Sequence, residues 1–245
     1  MNELRGADTT AAGVPREEHM LPHPGDPQVG WTVFDPGDPE RSTPAQAERL
    51  SALHKRKAVV LRQVHLTNCL VLRSEDSIPG SPVADGVLTD RRDLLAGVSA
   101  ADCLPLFLIA PEACGVLHAG WRGVLGGILP LAVETLRHEF GVTLDRLRLY
   151  TGPGIGPCCF EVSAAVWSCF PADARIRTEA ALRLDLLRVV SAQWRACGGE
   201  APAVHLGRCT VCGVPRLHSF RRDGGSGRNF AYLYYADSLL TNCCT

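Results

Sequence analysis

The chain has 245 residues, 46% of them hydrophobic but only 6% aromatic, with 25 Lys and Arg against 26 Asp and Glu. That length is enough for one large core, and the composition is that of an ordinary α/β protein rich in Ala, Leu and Val. A formal net charge of -1 excludes the broad basic face that nucleic acid or an acidic membrane surface requires.

In chain order, residues 1–10 are polar and contain no apolar run of signal-peptide or membrane-span character. Residues 1–30 carry Pro15, Pro22, Pro24 and Pro27 among scattered charges, with no apolar period. They are read as a flexible leader, which leaves 31–245 as a single folded domain. The run Asp35-Pro36-Gly37-Asp38-Pro39 extends the loop character, and a helix is expected over 44–54 with Ser42 or Thr43 as its cap. The triplet Lys55-Arg56-Lys57 reads as a solvated helix end. Strand-like runs follow at 58–61, 70–72, 94–98, Leu104–Ile109, 115–117 and 148–150. Helical stretches are expected at 126–140, 163–170 and 185–197. The expected fold class is α/β in the mixed α+β sense: layered mixed β-sheets flanked by outer helices, in one domain.

Eleven cysteines, an odd number spread through strand-like segments, fit a reducing compartment better than a disulfide framework, so a cytoplasmic location is expected. Cys243 and Cys244 are expected to be exposed free thiols.

The chemistry concentrates at strand ends. His118-Ala119-Gly120-Trp121-Arg122-Gly123 joins a short apolar strand to an apolar-faced helix. Such a turn aims backbone N–H groups and the positive end of a helix dipole at whatever binds there, which suits an anion. Cys103 follows Asp102 at the mouth of another apolar strand, and His65 ends Arg62-Gln63-Val64-His65. Two His and one Cys fall one short of a closed four-ligand shell, the pattern of a catalytic zinc site. The same side chains also serve a thiolate–imidazolium hydrolase or deamidase built on Cys103 and His118, with Gln63 as orienter or oxyanion donor. A catalytically silent nucleoside- or metal-binding protein is a third reading, and His65 favours the metal because the dyad leaves it unemployed.

A series of motifs in one order makes a resemblance specific. They are Gln63-Val64-His65, Ala84-Asp85-Gly86, Ala101-Asp102-Cys103-Leu104-Pro105, the His118 to Gly123 turn, residues 152–161, Asp185-Leu186, Cys209-Thr210-Val211-Cys212 and residues 219–224. Over about residues 58 to 230 the chain resembles the YfiH-type purine nucleoside phosphorylase family, also called the laccase-domain family. Two departures stand out: Leu66 follows the Gln-Val-His triplet where the family usually has Gly, and the family's N-terminal Gly-Gly turn has no clear match in residues 1–50.

The resemblance implies Zn²⁺ on His65, Cys103 and His118. It implies phosphorolysis of adenosine, inosine or S-methyl-5′-thioadenosine, together with hydrolytic deamination of adenosine. Purine nucleoside and phosphate are the partners so implied. Asp85 and Glu161 are the candidate proton shuttles, and Gln63, Arg122, Arg221 and Arg222 the candidate substrate and phosphate ligands.

Other constellations carry less. Cys209-x-x-Cys212 with Cys158-Cys159 lacks a second Cys-x-x-Cys knuckle, and the two adjacent cysteines are expected to project differently, so no structural zinc is expected there. The stretch from Gly224 to Arg228 has no Gly-Lys-Ser/Thr ending and is read as a mobile loop rather than a phosphate loop. Multicopper chemistry needs about ten His, usually in His-x-His pairs, whereas the eight His here form no such pair.

Overall fold

Successive strand residues point to opposite faces of a sheet, and here the strands over residues 86–89, 94–100, 104–109 and 114–119 are largely apolar and buried on both faces, so each sheet must be covered twice. The structure, a computed structural model, describes residues 8–9, 15–19, 27–34, 43–80, 82–225 and 227–235. The elements run β1 (Asp8–Thr9), β2 (Pro15–His19), β3 (Gln28–Phe34), α1 (Thr43–His54), β4 (Lys57–Val60), β5 (Cys69–Leu72), β6 (Gly86–Thr89) and β7 (Leu94–Ala100). Next come β8 (Leu104–Ile109), β9 (Cys114–Ala119), α2 (Trp121–Gly126), α3 (Ile128–Phe140), β10 (Arg148–Thr151) and α4 (Ala164–Ser168). The last described are β11 (Arg175–Arg177), β12 (Leu182–Leu184), α5 (Leu186–Ala196), β13 (Val204–His205), α6 (Phe220–Asp223) and β14 (Arg228–Tyr234).

Two six-stranded mixed sheets result, ordered β1-β2-β3-β14-β7-β4 and β13-β10-β8-β9-β6-β5, with β11 and β12 as a separate hairpin. Alternation along β7 sends Leu94, Ala96 and Val98 one way and Leu95 the other. The first set meets Val87, Phe107, Ile109 and Val116 of the second sheet in a core between the sheets. On the outer face of the first sheet, Leu95, Phe230 and Tyr232 pack with Leu50 of α1. On the outer face of the second, Leu104, Leu106, Leu108 and Leu117 meet Ile128, Leu129, Ala132, Val133 and Leu136 of α3 and Val189, Val190 and Trp194 of α5. The 3–4 spacing of those helix residues makes one apolar stripe per helix, and each fully buried Leu contributes about 1.5 to 3 kcal/mol. The layers are therefore helix, sheet, sheet, helices: the mixed α/β, single-domain architecture expected.

One difference from expectation has a local cause. The helix expected over 126–140 is broken, because Gly127 takes a left-handed φ of 83° and its N–H closes back on Gly123 and Val124. A residue without a Cβ adopts that conformation at little cost, so α2 ends and α3 starts in a new direction. In addition, β2 pairs antiparallel with β3 from Arg16↔Thr32 to His19↔Val29, so part of the segment read as a leader forms the edge of the first sheet. Ser42, Cys243 and Cys244 lie outside the described residues.

The ends of β8 and β9 and the loop after β4 come together on one side of the second sheet, and that convergence sets the site.

Candidate functional site

Asp85 organises the site from beneath. Its carboxylate is fully buried and accepts backbone N–H bonds from Val64 (3.3 Å), His65 (2.9 Å) and Leu66 (2.9 Å). Three N–H groups converging on one carboxylate bend the loop tightly enough to leave His65 with a φ of 59°. The same carboxylate lies 2.9 Å from Nδ1 of His118, which is 2% exposed. An ionised carboxylate only accepts, so Nδ1 carries the proton and Nε2 is left as the free ring nitrogen. Burial would raise the Asp85 pKa, but the bonds from His118, Leu66 and His65 hold it below the usual carboxylate range.

The Cys103 sulfur and one ring nitrogen each from His65 and His118 all lie within 4.8 Å of one another. Burial pushes the Cys103 thiol up, yet the two imidazoles outweigh it and bring it down to about 7. Burial acts the opposite way on His118, where Asp85 and Cys103 prevail and raise it to about 9. A readily ionised thiol and an oriented imidazole facing a second imidazole form a donor set suited to a divalent cation.

Gly120 keeps the space among them open. A Cβ there would stand 2.9 Å from Cys103 Sγ and 3.5 Å from His65 Nδ1. His65 is exposed and Cys103 half-buried, so the group opens to solvent on one side. Three protein donors around a space with one open side fit a catalytic ion better than a structural one.

The other sequence candidates divide into free and committed side chains. Arg122 is exposed and its guanidinium carbon stands 4.4 Å over the Trp121 ring, with no carboxylate partner among the described residues. Arg221 is also exposed; its backbone N–H donates to Asp102 Oδ2 at 2.7 Å, and its guanidinium lies over Phe160 at 5.8 Å. Arg222, by contrast, donates to the carbonyls of Thr210, Val211 and Leu217 and pairs with Asp223. Both ends of the Gln63 amide are taken by the backbone of Ser99, at 2.7 Å each. Glu161 is exposed and paired with Arg183 at 3.1 Å. Arg228 bonds the carbonyls of Gly225 and Gly227, closing its own loop.

Two contributors carry no signal in spacing or periodicity. One is Gly120 as the floor of the cation space. The other is Asp102, at a φ of 96°, whose carboxylate also accepts from Thr210 Oγ1 at 2.6 Å and whose carbonyl accepts from Ile155 N–H at 2.8 Å. Asp102 thereby ties residues 155, 210 and 221 to the neighbour of Cys103. The expectation that Cys158 and Cys159 diverge is corrected: their sulfurs and those of Cys209 and Cys212 all lie within 4.8 Å of one another. The reason is local, since residues 157–159 form a turn rather than a strand, and adjacent side chains on a turn can converge.

Comparison with known proteins places this geometry among relatives. Residues 29–236 match the family described as multi-copper polyphenol oxidoreductase laccase. Purine nucleoside phosphorylase YlmD of Geobacillus stearothermophilus is 31% identical over 172 residues, which span 65% of this chain and 63% of that protein. The chain thus spans less than two thirds of the length of that relative. The crystal structure of YlmD superposes with a TM-score of 0.72 at 26% identity, covering 92% of this chain and 93% of the other. A purine nucleoside phosphorylase of Aquifex aeolicus is 32% identical over 69% of this chain and 78% of its own length. Adenosine deaminase RL5, from an unknown prokaryotic organism, is 34% identical over 61% of this chain and 62% of its own.

Proposed function

The chain belongs to the family described as multi-copper polyphenol oxidoreductase laccase, and within it we propose a zinc-dependent purine nucleoside phosphorylase that also deaminates adenosine. The observation that carries this reading is the open three-donor group of His65, Cys103 and His118 around the space left by Gly120. These three residues would hold the ion. When bound, zinc acts as a Lewis acid and makes a coordinated water acidic near neutral pH. The family description names copper, but eight His without a His-x-His pair do not make a multicopper set.

In phosphorolysis a phosphate oxygen bonds to the ribose C1′ while the bond from C1′ to the purine nitrogen breaks, and its electron pair leaves with the base. Arg122 and Arg221 are the residues proposed to hold that phosphate, because their guanidiniums are exposed over aromatic rings with no carboxylate partner among the described residues; charge-assisted bonds to an anion are about twice as strong as neutral ones. Arg222 and Gln63 act one step back, the first by fixing the loop that carries Arg221 and the second by anchoring the loop that carries His65. Exposed Val64, Leu66 and Phe220 offer apolar surface to a purine or a methylthio group. In deamination water adds to the purine C6 and ammonia leaves. Glu161 keeps an exposed carboxylate for that proton transfer, whereas the Asp85 oxygens are filled and its role is to orient His118. Adenosine, inosine and S-methyl-5′-thioadenosine are the proposed nucleosides. Among the described residues no helix is long and apolar enough to cross a membrane.

Assay of all three nucleosides on one preparation, with phosphate varied, tests this. Base release should depend on phosphate, inosine should form from adenosine without it, and both should be lost when the metal is stripped. Arg122→Ala should cut phosphate-dependent release by about 10- to 150-fold, the effect of losing one charge-assisted contact, with metal content kept and deamination less affected. Parallel loss of both activities with metal retained would move the phosphate site to Arg221. An active, metal-free wild type inactivated by iodoacetamide at Cys103 would replace the zinc reading with the thiol hydrolase.

A further inference from the structure

We propose that Cys158, Cys159, Cys209 and Cys212 bind a second zinc ion as a closed tetrathiolate site, separate in residues from the three-donor group and independent of the reading given to it. Their four sulfurs all lie within 4.8 Å of one another, and Cys158 Sγ is 3.5 Å from Cys212 Sγ. Tetrahedral zinc with Zn–S bonds of about 2.3 Å places its sulfurs about 3.8 Å apart, so shifts of about 1 Å or less bring the four sulfurs to a coordination shell. A disulfide requires sulfurs about 2.05 Å apart in one specific pairing, whereas here four sulfurs lie in one group with each within 4.8 Å of the others. Nine cysteines among the described residues are free thiols, and these four are the ones that cluster together.

The backbone is arranged for thiolate. The Gly156 N–H donates to Cys209 Sγ at 3.3 Å, the N–H to sulfur bond that stabilises a coordinating thiolate. Gly156 also sits against the cluster: a Cβ there would come within 3.2 Å of Cys158 Sγ and 3.6 Å of Cys209 Sγ. Four crowded thiols cannot all ionise without a cation among them. A soft divalent ion removes that conflict: each S–H proton leaves to solvent as a Zn–S bond forms, with no change of oxidation state.

The four ligands come from two loops far apart in sequence, and both loops meet Asp102. Ile155 and Thr210 bond to Asp102 directly, Thr210 N–H bonds the Gly154 carbonyl at 3.0 Å, and Gly154 N–H bonds the Arg208 carbonyl at 3.2 Å. An ion on the four sulfurs closes the link across residues 154–159 and 208–212, next to the residue preceding Cys103. Its role is structural, since a four-thiolate shell leaves no open position for a substrate.

Metal analysis and zinc-edge X-ray absorption on the full chain, purified anaerobically, decide the matter. Wild type should hold two zinc ions per chain. Cys103→Ala should keep one, with four sulfur neighbours at about 2.3 Å and no nitrogen or oxygen neighbour. Cys158→Ser should keep one as well, now with mixed nitrogen and sulfur neighbours; Cys158 is exposed, so this change opens no core cavity. If Cys103→Ala does not fold, the wild-type absorption edge answers alone, because two such sites average more than two sulfurs per zinc. One zinc in wild type with unaltered content in Cys158→Ser overturns the proposal. So does mass spectrometry of the anaerobic protein that finds these four cysteines joined in disulfides.

Discussion

At the scale of single residues, the donor group depends on neighbours that never touch an ion. Asp85 holds both ring and loop, so Asp85→Asn puts an amide N–H₂ where backbone N–H groups or His118 Nδ1 must donate. Losing a charged acceptor of that kind costs about 1.5 to 3 kcal/mol, and loss of the orienting partner of a metal-bound His typically weakens the metal about 10- to 100-fold. The expected outcome is a lower melting temperature together with zinc released at lower chelator concentration, read by calorimetry and by competition with a chromogenic chelator. Gly120→Ala separates the two effects. Its added carbon would stand 2.9 Å from Cys103 Sγ on a strand-to-helix turn whose β-region φ of -73° any residue tolerates. Circular dichroism should therefore report a folded chain, while metal analysis reports the three-donor site emptied; a variant with full zinc would show that Gly120 is only a packing residue.

At the scale of elements, what could be read in advance follows from where the physics is local. Leu104–Ile109 is a run of apolar residues bounded by a Cys and an Ala-Pro pair, and the strand occupies those residues. The helix Leu186–Ala196 falls within the expected 185–197, and the structure adds its cap: the Asp185 side chain accepts from Arg188 N–H at 3.0 Å. That His65, Cys103 and His118 converge was legible in part, because Cys103 and His118 stand at the ends of β8 and β9; His65 reaches them from the loop after β4. Strands β3 and β14 were not, since a strand is defined by its partner and these two lie some two hundred residues apart; the β11–β12 hairpin, with three residues a side, is too short to show a period. The four-cysteine cluster was misread for a related reason: its geometry comes from a turn and from a loop some fifty residues later. The leader tests the same distinction. Removing residues 1–27 takes away β1 and β2 but leaves β3 paired with β14 along its length. A truncated chain should stay folded with its melting temperature within a few degrees, because an edge ribbon of this size removes little core. A large loss in calorimetry would mean that the segment seals the sheet edge.

At the scale of the whole molecule, the position of β14 has a consequence for synthesis. Residues 228–234 lie between β3 and β7, pairing antiparallel with both, so the middle of the first sheet is the last described part to leave the ribosome. Until then β3 and β7 each present an unpaired edge, and the apolar face of β7 that lies over the second sheet is only partly covered. Joining strands some two hundred residues apart is entropically slow, so the nascent chain passes through an intermediate with open edges, the kind that chaperones bind and that aggregates when they are scarce. Translation stalled just before Arg228 should leave a chain that is protease-sensitive around 28–34 while the second sheet, complete by His205, resists. Adding the remaining residues should protect 28–34 as well, a single late step visible in pulse proteolysis.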